Sequence, residues 1–365
     1  MLKCSRFFCR AWGVLLPLFI LTLPMDAATR PVSDPKVKTI KKNKATTHAK
    51  SVKSLRPVKK IKKTERTSNR VFRKKAVQIR SVAPVKSVAA KSAVASFGSM
   101  YGLDKTADPL DLKSNVALVI DSQTNEVLLS KNSSAVLPIA SITKLMTSLV
   151  VLDAGLDLHE IMTITEADVD TEKRSASRLE VGTQLTRAEM LHLALMSSEN
   201  RAAHALGRYY PGGLTAFVRA MNIRAQQLQM RDTHFVEPTG LSSKNQSSAN
   251  DLAILVKATN QNSLIREYST SQEATVPVGN RALQFRNTNG LVRGGTWDIA
   301  LQKTGYIAEA GRCLVMQVSL AGRELVMVLL DSAGKYSRIA DAERIRRWVT
   351  QQLGSTADVR RVRQL

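Results

Sequence analysis

The sequence predicts an α/β (α+β) fold. An antiparallel sheet is built from both ends of the globular region, flanked by helices and joined by a helical subdomain, with a site in the cleft between. Three observations predict it. β-rich apolar stretches stand near residue 115 and again after residue 272. The segment between them carries apolar residues at helical spacing. The last apolar segment, "SRIADAERIRRWVTQQL", reads as one amphipathic helix that can cover a sheet.

Taken in order, "NVALVID", "SQTN" and "EVLLS" read as strand, turn and strand, a hairpin at the domain start. "SITKLMTSLVVLDAG" reads as a helix of about 13 residues, opened by Ser141 and stopped by Gly155. "RAEMLHLALM", "NRAAHALGRYYP", "LTAFVRAMNIRAQQLQM" and "SSANDLAILVKATNQ" read as four further helices, the second closed by Pro211 and the last capped by serine. "EATVPV", "DIALQKTG", "CLVMQVSL" and "ELVMVLLD" then read as strands, with the turn "AGRE" between the last two. No internal repeat is visible.

Charge divides the chain. The 365 residues carry a formal +24, of which residues 29–91 alone carry +19: 21 lysines and arginines against Asp34 and Glu65. Self-repulsion and scarce apolar surface predict that residues 29–99 form a basic disordered segment. Its chemistry suits a tether to an anionic cell-wall or membrane surface, or a solubilising spacer. Residues 1–28 have a positive start at Lys3, Arg6 and Arg10, an apolar stretch from Ala11 to Leu23, and small residues at Ala27 and Ala28. That is the layout of a signal peptide. The stretch is short of the roughly 20 residues a spanning helix needs. The expected organisation is therefore a signal peptide (1–28), a basic segment (29–99), a globular domain (100–355) and a tail (356–365), with the mature protein outside the cytoplasm. Export also removes nucleic acid as a partner for the basic segment. Cys4 and Cys9 leave with the signal, so Cys313 stands alone in an apolar stretch and is expected to be a buried, inert thiol.

The five histidines are scattered, and "HE" at 159–160 lacks a second histidine one turn on, so no metal or other cofactor is expected. No G-x-S-x-G occurs either. Three Ser-x-x-Lys strings do, from Ser33, Ser141 and Ser332. A serine hydroxyl needs a base beside it to act as a nucleophile, and a lysine can be that base if its amine is neutral. Only Ser141 opens a helix, which places Lys144 one turn along on the same face and leaves first-turn N–H groups beside the hydroxyl. Ser33 lies in the basic segment, and Gly334 argues against a helical face at Ser332.

Ser-x-x-Lys is known together with Ser-x-Asn and Lys-Thr-Gly strings in acyl-transferring enzymes. Lys-Thr-Gly occurs once, at Lys303–Thr304–Gly305, at the end of what reads as an exposed strand. Its edge could take an extended peptide, Lys303 a carboxylate, and Gly305 could let a ligand approach the backbone. Ser-x-Asn strings include those from Ser198, Ser243 and Ser248. Ser198 and Asn200 fall between two apolar helices, where a short loop can enter a cleft. The other two read as a polar loop and a helix cap.

With these motifs in order, and with "LALMSSENRAAHALGRYYPGG", "FVEPTGLS", "FRNTNGLV", "LQKTGYIAEAGRCLVM" and "DSAGKYSRIADAERIR", residues 111–352 resemble the low-molecular-mass penicillin-binding proteins. These are D-alanyl-D-alanine peptidases of the serine S11 type, and the resemblance is closest to the endopeptidase branch, the penicillin-binding protein 7 type. It implies a β-lactamase/transpeptidase-like fold and cleavage of peptidoglycan stem peptides, with β-lactams as covalent inhibitors. It further implies that Ser141 forms the acyl-ester, Lys144 takes its proton, and Ser198 and Asn200 complete the relay and hold the substrate amide. Lys303 and Thr304 would bind the terminal carboxylate, Gly305 lying beside them, and the N–H groups of Ser141 and Tyr306 would form the oxyanion hole. The chain ends soon after its closing helix, which favours endopeptidase over carboxypeptidase. A carboxypeptidase and a non-catalytic wall-binding protein are the rival expectations.

Overall fold

The computed structural model describes residues 95–362, the last ten of them as backbone only. The expected signal peptide and nearly all of the basic segment therefore lie outside the described residues. A short helix, α1 (Phe97–Met100), leads into the hairpin β1 (Ser114–Asp121) and β2 (Val127–Lys131), then β3 (Leu137–Pro138) and α2 (Thr143–Asp153). The middle holds the paired β4 (Ile161–Thr163) and β5 (Gln184–Thr186), α3 (Arg187–Met196), α4 (Asn200–Arg208), α5 (Gly213–Gln227), β6 (Gln246–Ser247), α6 (Ala249–Thr259) and α7 (Ser263–Thr270). There follow β7 (Glu273–Val278), β8 (Arg281–Arg286), α8 (Gly290–Gly294), β9 (Asp298–Ile307), β10 (Gly311–Leu320), β11 (Arg323–Ser332) and α9 (Ser337–Val362).

The main sheet has five strands in the order β2-β1-β11-β10-β9, all antiparallel. β1 pairs with β11, Val116 opposite Leu330 and Leu118 opposite Val328, so both ends of the domain meet in the sheet's centre. The run "LVMVLL" in β11 is apolar at every position because both its faces are buried. Val326, Val328 and Leu330 enter the core shared with the middle helices. Leu325, Met327 and Leu329 enter a second core with Ala342, Ile345 and Val349 of α9. The period-two alternation thus separates one strand's residues between two cores.

α9 is fastened to β1 by Asp341, whose buried carboxylate accepts the N–H of Lys113 (3.1 Å), the N–H of Ser114 (2.8 Å) and the Ser114 hydroxyl (2.7 Å). Each of those donors would cost about 1–3 kcal/mol if left buried without a partner. Caps end the central helices where the sequence suggests: Thr186 and Glu189 form a capping box on α3, and Ser248 caps α6.

Three features differ from the sequence-based expectation. "EATVPV" does not join the main sheet. With "RALQFR" it makes a separate hairpin, β7–β8, and only Val276 and Val278 of β7 are buried, the profile of a one-faced strand. Residues 96–99, assigned from sequence to the basic segment, are docked at the start of α1: the Phe97 N–H donates to the Glu309 carbonyl (3.0 Å), and the Ser96 hydroxyl to Asp331 (2.9 Å). α9 runs to Val362, through the boundary expected at 355/356.

Candidate active site

Ser141 sits in a 3-10 turn (Ala140–Ile142) between β3 and α2. Ala140, just before it, has φ 48°, a left-handed conformation that costs a non-glycine residue about 1–2 kcal/mol. Two glycines pack closely on the turn. A Cβ on Gly240 would stand 1.9 Å from the Ala140 carbonyl oxygen, and a Cβ on Gly305 would stand 3.0 Å from both Ala140 Cβ and Ser141 N. Gly305 therefore allows close approach, as its place in Lys-Thr-Gly suggests, but the backbone it admits belongs to the serine turn. The strand carrying it is not exposed: Leu301 to Gly305 are buried, although β9 is the sheet's edge in the strand order.

Lys144 follows one turn into α2 and is fully buried. Its Nζ lies 2.9 Å from Ser141 Oγ, 2.8 Å from Asn200 Oδ1 and 2.6 Å from the Thr239 carbonyl. Burial disfavours the ammonium and outweighs the attraction of Glu237 and Glu199, bringing the amine down to about 7. A neutral amine has two N–H bonds and one lone pair. Asn200 Oδ1 and Thr239 O can only accept, so they take both N–H bonds. The remaining partner, the Ser141 hydroxyl, can donate, and the lone pair faces it. This is the arrangement in which a serine can give up its proton as it attacks.

Lys303 is also fully buried. Its amine is driven well below the ordinary lysine value by burial, then by the like charges of Lys144 and Arg338. Its Nζ contacts Ser198 Oγ at 2.9 Å and donates to the Thr304 carbonyl at 3.0 Å. Lys303 is thus neither a solvated strand end nor open to solvent. Thr304 is nearly buried, its hydroxyl 2.6 Å from that of Thr288. Tyr306 is 57% exposed beyond it, with the Arg312 guanidinium 4.4 Å from its ring centre.

Ser198 and Glu199 lie in the short connection from α3 to α4, where Ser198 has φ 63°, and Asn200 opens α4. Their side chains go to different partners. Asn200 joins Lys144, and Ser198 joins Lys303. The Ser198 hydroxyl makes no hydrogen bond to Lys144 or Ser141 among the described residues, so the expected relay is here two adjoining networks. Of the other Ser-x-Asn strings, Ser248 caps α6, and the one from Ser243 lies in the loop before β6, where its Asn245 donates to Glu237 and to the Thr143 hydroxyl beside Lys144. Of the other Ser-x-x-Lys strings, Ser332 ends β11 and bonds Ser337 (2.6 Å), while Ser33 lies outside the described residues. Cys313 is buried and its thiol is pushed up to about 12 by burial.

Sequence reasoning gave no individual role to Glu237, Thr239 or Thr288. Glu237 accepts the N–H groups of Thr239 and Gly240, both at 2.6 Å, and the Asn245 amide at 2.9 Å. It thereby shapes the loop that brings the Thr239 carbonyl to Lys144 and Gly240 to the serine turn. Their stretches, "FVEPTGLS" and "FRNTNGLV", carried the family resemblance, and that was the only signal for them.

The geometry generates a pH dependence. Lys144 must be neutral to accept the serine proton, and its folded value is about 7. Acylation of Ser141 by a fluorescent penicillin should be flat above that pH and fall roughly tenfold per unit below it. Rates measured from pH 5 to 9 check this, and a profile still rising beyond pH 9 would contradict it.

Comparison with known proteins agrees with this architecture. Residues 103–334 match the family described as Peptidase S11, D-alanyl-D-alanine carboxypeptidase. A D-alanyl-D-alanine endopeptidase of Pseudomonas aeruginosa is 50% identical over 241 residues, 66% of this chain and 78% of that protein. One from Escherichia coli is 46% identical over 246 residues, 67% and 79%. Among solved structures, the Streptomyces K15 DD-transpeptidase is similar with a TM-score of 0.61 at 26% identity, covering 66% of this chain and 97% of that one. A D-alanyl-D-alanine carboxypeptidase of Mycobacterium tuberculosis is similar with a TM-score of 0.60 at 26% identity, covering 67% and 92%. Motifs, fold and relatives agree, and the chain belongs to the S11 family of serine peptidases.

Proposed function

We propose that this protein is a D-alanyl-D-alanine endopeptidase that hydrolyses the D,D-cross-links of peptidoglycan through an acyl-enzyme. One observation carries the reading: the buried Lys144 amine, its two N–H bonds taken by Asn200 Oδ1 and Thr239 O, lies 2.9 Å from Ser141 Oγ. Ser141 attacks the D-alanyl carbonyl as Lys144 accepts its proton. Lys144 then protonates the departing amine, and water releases the acyl group by the same path. The N–H groups of Ser141 and Tyr306 serve the oxyanion. Support for that role is the packing of Gly305, Tyr306's neighbour, against Ser141 N.

Lys303 and Thr304 receive the carboxylate of the substrate, or that of a β-lactam. An anion beside Lys303 favours its ammonium form, so binding restores the charge that burial suppresses. Ser198 is held on Lys303 in this subsite, and Asn200, held on Lys144, steers the substrate amide.

The endopeptidase reading is favoured over the carboxypeptidase one by the relatives. Those named endopeptidases reach 50% and 46% identity, whereas those named carboxypeptidases reach 30% and 29%. Purified protein should release monomers from cross-linked muropeptide dimers. Release of D-alanine from pentapeptide monomers, with dimers untouched, would make it a carboxypeptidase instead.

Residues 1–28 direct export to the periplasm, and residues 29–91 tether the enzyme to an anionic wall or membrane surface. The +19 charge of that segment supports the second role. Deleting residues 29–91 should lower retention on isolated envelopes at low salt, with the difference vanishing at high salt. Equal retention at low salt would reduce the segment to a spacer.

A further inference from the structure

The Thr304 hydroxyl oxygen lies 2.6 Å from that of Thr288. Thr288 stands in "FRNTNGLV", in the turn between β8 and α8. The turn is held without its help. Asn287 and Asn289, on either side of it, are buried, and their side chains hold the surrounding backbone. The Asn287 amide donates to the carbonyls of Ser269 (2.9 Å) and Ser271 (2.7 Å) and accepts the N–H of Asn289 (2.9 Å). Asn289 accepts the N–H of Leu291 (3.0 Å). Loss of the Thr288 hydroxyl therefore leaves these ties in place.

Thr288 itself is half-buried between the two asparagines. Its N–H donates to the carbonyl of Met196, the last residue of α3, at 3.1 Å. It thus joins the end of α3 through its backbone and β9 through its hydroxyl. Ser198 follows α3, Lys303 lies on β9, and those two are in contact.

Two hydroxyl oxygens 2.6 Å apart need a proton between them, and either residue can supply it. A carboxylate bound at Thr304 removes the choice. It only accepts, so it takes the Thr304 proton. The proton between the two oxygens must then come from Thr288. A hydroxyl that receives a hydrogen bond is polarised and donates more strongly in turn.

We propose that Thr288 is a positioning residue for the carboxylate subsite: its hydroxyl donates to Thr304 and turns the Thr304 proton toward the carboxylate of the substrate. Lys303 supplies charge there, and Thr304 supplies a directed hydrogen bond. Thr288 therefore acts on substrates that carry a carboxylate beyond the scissile bond, and it leaves the Ser141–Lys144 pair alone.

The inference rests on the carboxylate role proposed for Thr304, and two acyl donors separate the two. One is an acyl-D-alanyl thioglycolate, whose leaving group ends in a carboxylate. The other is its methyl ester, which lacks the charge. Thiol release gives kcat and KM for each. A wild-type protein that uses both equally well would end the carboxylate reading itself, and the proposal with it. Given a preference for the carboxylate form, Thr288→Val keeps the shape and loses the hydroxyl. It should lower kcat/KM for that form about tenfold, chiefly through KM. The ester should react as in the wild type, which also shows that the variant is folded. Thr288→Ser should restore the loss. On a Thr304→Val background, Thr288→Val should have no further effect. Wild-type constants with both donors in Thr288→Val would overturn the proposal. So would equal losses with both donors, the signature of a merely structural role, or a further loss on the Thr304→Val background.

Discussion

A lysine amine shut away from water is the constraint on which this site depends. Among the described residues Lys144 has no counter-ion within hydrogen-bond reach, only two carbonyl-type oxygens and a hydroxyl. Ionised there, it would forfeit hydration without a full charge to compensate, a cost of several kcal/mol for a buried ion. Neutral, it satisfies every partner and keeps a lone pair for Ser141. Glu237 and Glu199 lie near enough to soften the cost without pairing with it, which leaves the amine near neutrality instead of far below it.

Much of the local backbone serves that placement. The left-handed Ala140 turns the chain so that Ser141 meets the start of α2. Gly240 and Gly305 let two other segments close on that turn, one bringing the Thr239 carbonyl and the other Lys303. The antiparallel sheet sets β9 beside the serine, and α2 is buried on nearly all sides between the sheet and the other helices. Lys303 is a second buried lysine, and after its own burial the like charge of Lys144 favours its neutral form.

What could be read from sequence follows from where each contribution lies. Ser141 in the 3-10 turn and Lys144 at the start of α2 lie one turn apart, so three positions of spacing were enough. Ser198, Asn200 and Lys303 sit in compact strings at the ends of recognisable elements. Thr239 acts through its carbonyl, 95 residues from Lys144, and no side-chain pattern announces a carbonyl. Ser175 reaches Asn200 across 25 residues from a polar stretch without periodicity, where no element could be assigned. The alternating strands and capped helices were legible for the same local reason. The β7–β8 hairpin was misplaced because pairing partners are chosen by tertiary contact. The burial of Lys303 was missed because alternation in "DIALQKTG" cannot show that a helical layer covers its polar face.

The central claim concerns one proton, and it can be observed directly. In protein labelled with ¹³Cε and ¹⁵Nζ lysine, with the Lys144 signal assigned by its loss in Lys144→Arg, the amine should titrate with a midpoint near 7. A midpoint near the ordinary lysine value of 10.5 would mean that the amine is charged when Ser141 must surrender its proton, and would contradict the account.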